Sequence, residues 1–445
     1  MTWNVEQVLA LAPDASSAKS GKDLSVARKW LTLGADDACA WGTLQGSGST
    51  PYQAVIDLAG PAFKCTCPSR KFPCKHGLGL FLILAQQPDA FREKRAPAWA
   101  SEWLAKRSEK QEAKAARAAA PAAAPDPETE ARATAAAEKR SAAREAKVSR
   151  GLEDLGVWLE DVVRSGFASL PGKPSSLWQN PAARLVDAQA PGMARRLAEL
   201  EGITTTGEDW PERLLRQLAT LHLAREGWRR IGSLPNAAQS DLRAALGFTM
   251  SQDDVLADDG IRDHWVVAGQ RVEEEERLRV QRTWLFGAKS LRAALCLSFS
   301  AGPNPSMDVR LTPGATVDAE LAFFPSAFPL RALVKQRHGA SSTGVPELPH
   351  ATIAAANRFA ADAFGANPWL ERIAFALAAV VPLRRTHGWI VRDADGRALP
   401  LDIPEMDAWK LVALSGGAPV ALAGEWNGDA LRPMSVWAGG RLVTL

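Results

Sequence analysis

Tyrosine is nearly missing from this chain, one residue in 445, and cysteine is scarce at five. Five cysteines, three of them crowded within ten positions, cannot form the paired framework that staples small secreted domains. No G-x-x-x-x-G-K-[ST] loop, no dinucleotide fingerprint after a strand, no H-E-x-x-H and no G-x-S-x-G elbow is present. His264, His338, His350 and His387 share no ligand spacing, so nothing in the pattern argues for a catalytic centre. Apolar runs such as Leu78–Ala85 stop far short of the ~20 residues a membrane span needs. The start, M-T-W-N-V-E-Q-V, lacks a basic stretch followed by an apolar core, so it does not read as a signal peptide. A cytoplasmic protein with reduced thiols and no membrane partner is expected. Net charge is only +3, so any nucleic-acid contact must be local to a patch.

What the chain does have is concentrated in one stretch. Phe63 to His76 reads F-K-C-T-C-P-S-R-K-F-P-C-K-H, placing Cys65, Cys67, Cys74 and His76 in a C-x-C, C-x-H arrangement. Thiolate and imidazole are the ligands zinc prefers, and four of them from protein close a tetrahedral shell of the structural kind. A catalytic thiol is expected alone beside a base, not in two pairs. A catalytic zinc would keep one position open, and here all four are supplied. The cofactor predicted is therefore a structural Zn²⁺.

This signature, followed by an apolar helix, resembles the SWIM zinc finger over about residues 40–86. The resemblance implies a compact ββα-like finger that binds nucleic acid or protein without chemistry at the metal. The ligand positions carry over to Cys65, Cys67, Cys74 and His76. The remainder is similar to bacterial SWIM proteins of comparable size, encoded beside MoxR-like AAA+ ATPases and von Willebrand A-domain proteins. The resemblance thus implies a MoxR-like ATPase or its A-domain companion as protein partner.

From Leu58 to Pro88 there is no Asp or Glu, while Lys64, Arg70, Lys71 and Lys75 crowd the metal loop. Two readings stand side by side. The cations contact phosphates, with Phe72 as a stacking or wedge residue. Alternatively they offset the net −1 charge of Zn²⁺ with three thiolates and a neutral histidine.

The predicted fold is multidomain α+β: a zinc-stapled N-terminal domain (1–105), an Ala- and charge-rich linker (106–149), a helical region (150–260) and a mixed α+β region (261–445). Within the first domain, a helix is expected over Lys22–Leu33, then strands at Ala40–Leu44 and Tyr52–Leu58 joined by the Gly-Ser-Gly-Ser turn at 46–49. The linker has too few large apolar residues to bury a core. Leu152, Leu155, Trp158, Leu159, Val162 and Val163 mark a helical stripe, and His222 reads as a core or boundary histidine. Beyond 261, strands are predicted at Trp265–Ala268, Val280–Phe286, Ala293–Ser300 and Val317–Phe324. The acidic run Glu273–Glu276 is predicted to be a solvated loop or helix face. A helix over His350–Ala379, broken near Pro368, precedes short strands, one of them at Lys410–Leu414, that form a curved sheet or barrel. Trp426 and Trp437 are expected in its core. The functional expectation is a non-enzymatic adaptor. The competing readings are an enzyme with its site in the C-terminal α+β region, or a finger that only staples its own domain.

Overall fold

The computed structural model describes residues 5–12, 15–46, 50–58, 62–69, 71–119, 127–204, 207–275, 278–301, 311–339, 342–343 and 347–445. Arg70, most of the turn at 46–49, and Pro121 and Pro125 of the linker lie outside them.

The N-terminal domain is a four-stranded antiparallel meander, β1 (Thr32–Ala35), β2 (Cys39–Leu44), β3 (Tyr52–Asp57) and β4 (Ala62–Cys65), paired in that order. Side chains alternate across a strand, and both faces here are covered. Ala40, Ala54, Ile56 and Phe63 pack with α3 (Lys75–Gln86), α1 (Val5–Ala10) and α2 (Ala15–Leu24) in one core. Cys39, Trp41 and Val55, on the opposite face, meet Trp99, Ala100 and Trp103 of α4 (Ala98–Ala119). Arg107 of α4 also pairs with Asp57 at 2.8 Å.

The expected helix at Lys22–Leu33 is displaced. α2 ends at Leu24, and Leu33 is already in a strand. The reason is a close helix crossing: a Cβ on Gly21 would lie 2.8 Å from Leu78 Cβ, and one on Gly79 would lie 2.8 Å from Leu24 Cβ. Glycine at both contacts seats α2 against α3, and the period-3.6 pattern of 24–31 is absorbed by a turn.

The helical region comprises α5 (Pro127–Ser165), α6 (Ser176–Asp187), α7 (Pro191–Ile203), α8 (Trp210–Arg229), α9 (Asn236–Leu246) and the short α10 (Gln252–Ala257). Val148, Leu152, Leu155, Leu159 and Val162 recur at four- and three-residue steps, the spacing of one helix face, and all are buried. Val163 falls off that face and is exposed, as is His222. α5 runs unbroken across 149/150, where the sequence pattern placed the linker's end. Arg144 already belongs to the bundle, its guanidinium 3.9 Å from the Phe248 ring centroid.

The C-terminal region holds two antiparallel sheets. The first is built from β5 (Ile261–Glu275), β6 (Leu278–Gly287), β7 (Ala293–Ala301), β8 (Ala315–Phe323), β9 (Ala332–Arg337) and β10 (Ser342–Thr343), ordered β10-β8-β5-β6-β7 with β9 also on β8. After α11 (Ile353–Ala366), the second contains β11 (Ile373–Arg385), β12 (Gly388–Arg392), β13 (Ala398–Leu401), β14 (Val420–Trp426), β15 (Leu431–Ala438) and β16 (Arg441–Thr444), with α12 (Glu405–Ser415) inserted. Its order is β13-β12-β11-β14-β15-β16, and a β13–β15 contact at Leu401–Leu431 bends it toward the expected barrel. Both sheets and α11 share a core that includes Trp284, Phe286, Phe375, Leu422 and Trp437. Trp426 stacks on Phe375 at 5.6 Å.

Two sequence readings are corrected here. Residues 373–379 are strand, not the tail of a helix: Ile373–Leu377 is buried on both faces, and such a run carries no period to separate the two. Lys410–Leu414 is helical, because Pro404 opens α12 with Glu405 and Asp407 in its first turn.

The helical region is tied to this body by a buried polar node. Asp241 of α9 accepts from Asn367 Nδ2 at 2.7 Å and from the Ala327 N–H at 2.8 Å. Arg196 adds a 3.0 Å pair with Glu371.

Candidate metal centre

Each donor is positioned by a different piece of local structure. Cys65 ends β4, where it pairs with Ala54, and the ladder continues one residue further through Thr66 N–H to Gln53 O at 3.0 Å. That extension delivers Cys67 two residues on, with its side chain on the same side as that of Cys65. The loop returns through Phe72, whose half-buried ring meets Phe63 edge to face at 6.1 Å. Phe72 therefore anchors the loop to the core of the domain. Cys74 is the N-cap of α3, and its Sγ accepts the Gly77 N–H at 3.4 Å. His76 follows in the first turn, buried, its ring 5.1 Å from that of Tyr52.

The four donor atoms, three sulfurs and one ring nitrogen, all lie within 4.8 Å of one another. Cys65 Sγ and His76 Nδ1 are 3.8 Å apart. Tetrahedral zinc with Zn–S of ~2.3 Å and Zn–N of ~2.0 Å sets such edges at about 3.5–3.8 Å. The donor set thus fits Zn²⁺ in size and chemistry, and zinc is the metal it holds. No position is left for a substrate.

Without the ion the four donors perturb one another strongly. The Cys67 thiol is driven far down by hydrogen bonds from Cys65 and then Cys74, while Cys65, held as the donor to Cys67, is driven up. His76 is raised to about 9: burial opposes its charge, but hydrogen bonds to Cys67 and Cys74 and the nearby thiolate charge outweigh it. Metal binding deprotonates such donors, so a divalent cation takes the place of the protons that these four groups otherwise share. Cys39, by contrast, is buried apart from the cluster and pushed up to about 12, first by burial and then by Asp36. It is not a fifth ligand.

Lys64, Lys71 and Lys75 are all exposed around this centre, with Lys71 Nζ 2.9 Å from Ser16 Oγ. Lys75 and His76 line an open cleft of about 630 Å³ whose apolar walls include Leu24, Leu44, Tyr52 and Pro68. The arrangement joins a rigid, metal-held loop to an apolar slot with a cationic edge.

Residues 64–85 match the SWIM zinc finger family, and residues 143–246 match the SWIM-associated four-helix bundle domain. The metal centre is a SWIM zinc finger. No curated protein and no solved structure matches the chain. The SWIM finger match spans all four donors and most of α3, and the bundle match starts inside α5 and ends where α9 ends.

The sequence reading misplaced one acidic residue. Glu273, placed in a solvated acidic run, is on β5, half-buried, and holds three guanidiniums: Arg372 at 2.9 Å, Arg282 at 3.4 Å and Arg432 at 3.5 Å. Burial raises its carboxyl, but Arg372 and the other cations hold it below the ordinary range. Arg372 also reaches the buried Glu425 at 3.4 Å, which accepts from Trp284 Nε1 at 2.7 Å. Strand alternation alone would turn apolar Val272 inward, yet Val272 and Glu274 are the exposed pair and Glu273 faces the arginines.

Proposed function

We propose that this chain is a non-enzymatic adaptor whose SWIM finger binds nucleic acid, while the bundle and C-terminal body engage a protein partner. The observation that carries this reading is the closed Cys₃His shell flanked by exposed Lys64, Lys71 and Lys75. A metal with four protein ligands has structural work to do, and its loop is held still for contact with something else. Exposed cations with no acidic residue between Leu58 and Pro88 complement phosphate. The resemblance to bacterial SWIM proteins supports a MoxR-like AAA+ ATPase or a von Willebrand A-domain protein as the partner, in the cytoplasm. No described helix is long and apolar enough to cross a membrane.

Fluorescence anisotropy with labelled single- and double-stranded oligonucleotides tests the finger's role. The proposal expects binding that weakens steeply as salt rises. Absence of binding to either oligonucleotide at low salt removes nucleic acid as the finger's ligand. Affinity capture from native cells, with and without nuclease, then separates a direct protein partner from one bridged by nucleic acid.

A further inference from the structure

Helix α12 turns two large apolar side chains to solvent, Met406 at 80% and Trp409 at 47% exposure. Trp409 is nevertheless fixed. Its Nε1 donates to Glu405 Oε1 at 3.0 Å, and Trp389 of β12 donates to Oε2 of the same carboxylate at 2.9 Å. The two indoles meet edge to face, with centroids 5.0 Å apart and planes at 83°. One carboxylate therefore pins two electron-rich rings at a right angle, with a negative charge between them. The corner holds a cation from the chain itself: Arg384 Cζ lies 5.6 Å from each ring centroid, and Nη1 lies 3.2 Å from Glu405 Oε1.

We propose that this corner is a recognition site for an arginine or lysine side chain of a partner protein, and that Arg384 is the internal stand-in which the partner's cation replaces. Ring quadrupoles and a carboxylate together select positive charge over an apolar or acidic side chain. Preorganisation is built in, because both indoles are already held by hydrogen bonds. Arg384 is 58% exposed, and ion pairs at that exposure contribute little, so displacing it is cheap. Met406, immediately beside Glu405, offers apolar contact to the methylene stem that an incoming Arg or Lys brings. Trp389 is buried at 7% exposure, so the open side of the corner is the Trp409 ring, the Glu405 carboxylate and the Met406 side chain. This site lies far along the chain from the finger and does not depend on what the finger binds.

The test uses the full chain with ¹⁵N-labelled indoles, the Trp389 and Trp409 resonances being assigned through Trp389→Phe and Trp409→Phe. The probe is a blocked Gly-Ser peptide with one central Arg, compared with the same peptide carrying Gln. The Arg peptide should shift both indole resonances, and Arg384→Ala should bind it about fivefold more tightly than the parent, since a competing cation has gone. Glu405→Gln should lose that binding while the rings remain packed. The proposal is overturned if the Arg peptide moves neither indole in Arg384→Ala, or if the Gln peptide moves them equally. Indole shifts that appear on concentrating the protein without peptide would assign the corner to a second copy of this chain and would also overturn it. Arg384→Met, which keeps the side-chain bulk without charge, should behave as Arg384→Ala does; if only the alanine variant gains affinity, released space and not released charge is the cause, and the proposal fails.

Discussion

The backbone N–H of Gly77 is directed at Sγ of Cys74 across 3.4 Å, so the third sulfur of the metal cluster is also the cap of the helix that carries the imidazole. Metal site and helix start are one feature. The sulfur's negative charge sits at the positive end of α3, and the ion, the cap and the first turn stabilise one another.

Cys74→Ala should therefore melt the finger and not merely lower its zinc affinity. Structural zinc contributes about 10 kcal/mol or more to folding such a unit. Cys74→Ser keeps a capping oxygen, which restores about 1 kcal/mol at most, far less than the metal. Both variants should lose amide protection in α3 and β4 while β11 and α8 keep theirs. Hydrogen exchange resolved by peptide is the check; protection in α3 that survives in Cys74→Ser would show that the apolar core alone holds the domain.

The three exposed lysines can be assigned by one experiment. If Lys64, Lys71 and Lys75 contact phosphates, replacing all three with Ala should weaken nucleic-acid binding and reduce the salt slope by about three. If they only offset the charge of the cluster, the slope stays and zinc is lost more readily to a chelator. Measuring both slope and zinc release on the same variant decides between the two.

Much of this was legible beforehand, for physical reasons that differ by element. The four ligands announce themselves because zinc chemistry restricts residue type and spacing together. The strands β5 to β8 could be read because short apolar segments between turns leave a period of two. α2, by contrast, is placed by glycines at Gly21 and Gly79, whose role appears only when two helices cross. β11 is buried on both faces, so Ile373–Leu377 has no period to read. Glu273 was misplaced because an acidic run looks solvated until the guanidiniums of Arg282, from the neighbouring hairpin strand, and of Arg372 and Arg432, distant in sequence, converge on it. The Trp389–Trp409 corner escaped for the same reason: only the β12 and α12 packing brings the rings together.

His350 gives the C-terminal body a pH dependence. The ring is buried among Phe286, Phe359 and Phe375, and burial pulls it from 6.5 down to about 4, outweighing its contact with the Ala376 backbone. The unfolded chain therefore binds this proton at a pH where the folded chain does not. Stability from neutral His350 is complete above pH 6.5 and is lost as pH falls toward 4, by up to about 3 kcal/mol. His350→Gln should be less stable at neutral pH yet lack this part of the acid slope. Urea unfolding followed through β11 at several pH values checks it, and parallel slopes for parent and variant would contradict it.

Arg372→Ala should destabilise the same body by about 2 kcal/mol, because it strips the closest cation from half-buried Glu273 and removes the ion-pair partner of the buried Glu425. Adding Glu273→Gln should recover part of the loss by removing a charge that no longer has its main partner. Urea midpoints of the single and double variants test this; a double variant as unstable as the sum of its parts would show that the two residues are not coupled.

The account rests on one ion gripped by Cys65, Cys67, Cys74 and His76. Zinc K-edge absorption on the purified full chain, with elemental analysis of the same sample, tests that most directly. It should find one zinc per chain with a first shell of three sulfurs at ~2.3 Å and one nitrogen at ~2.0 Å. A shell containing a water oxygen in place of the imidazole nitrogen, or a chain purified without chelator that carries no zinc, would contradict it.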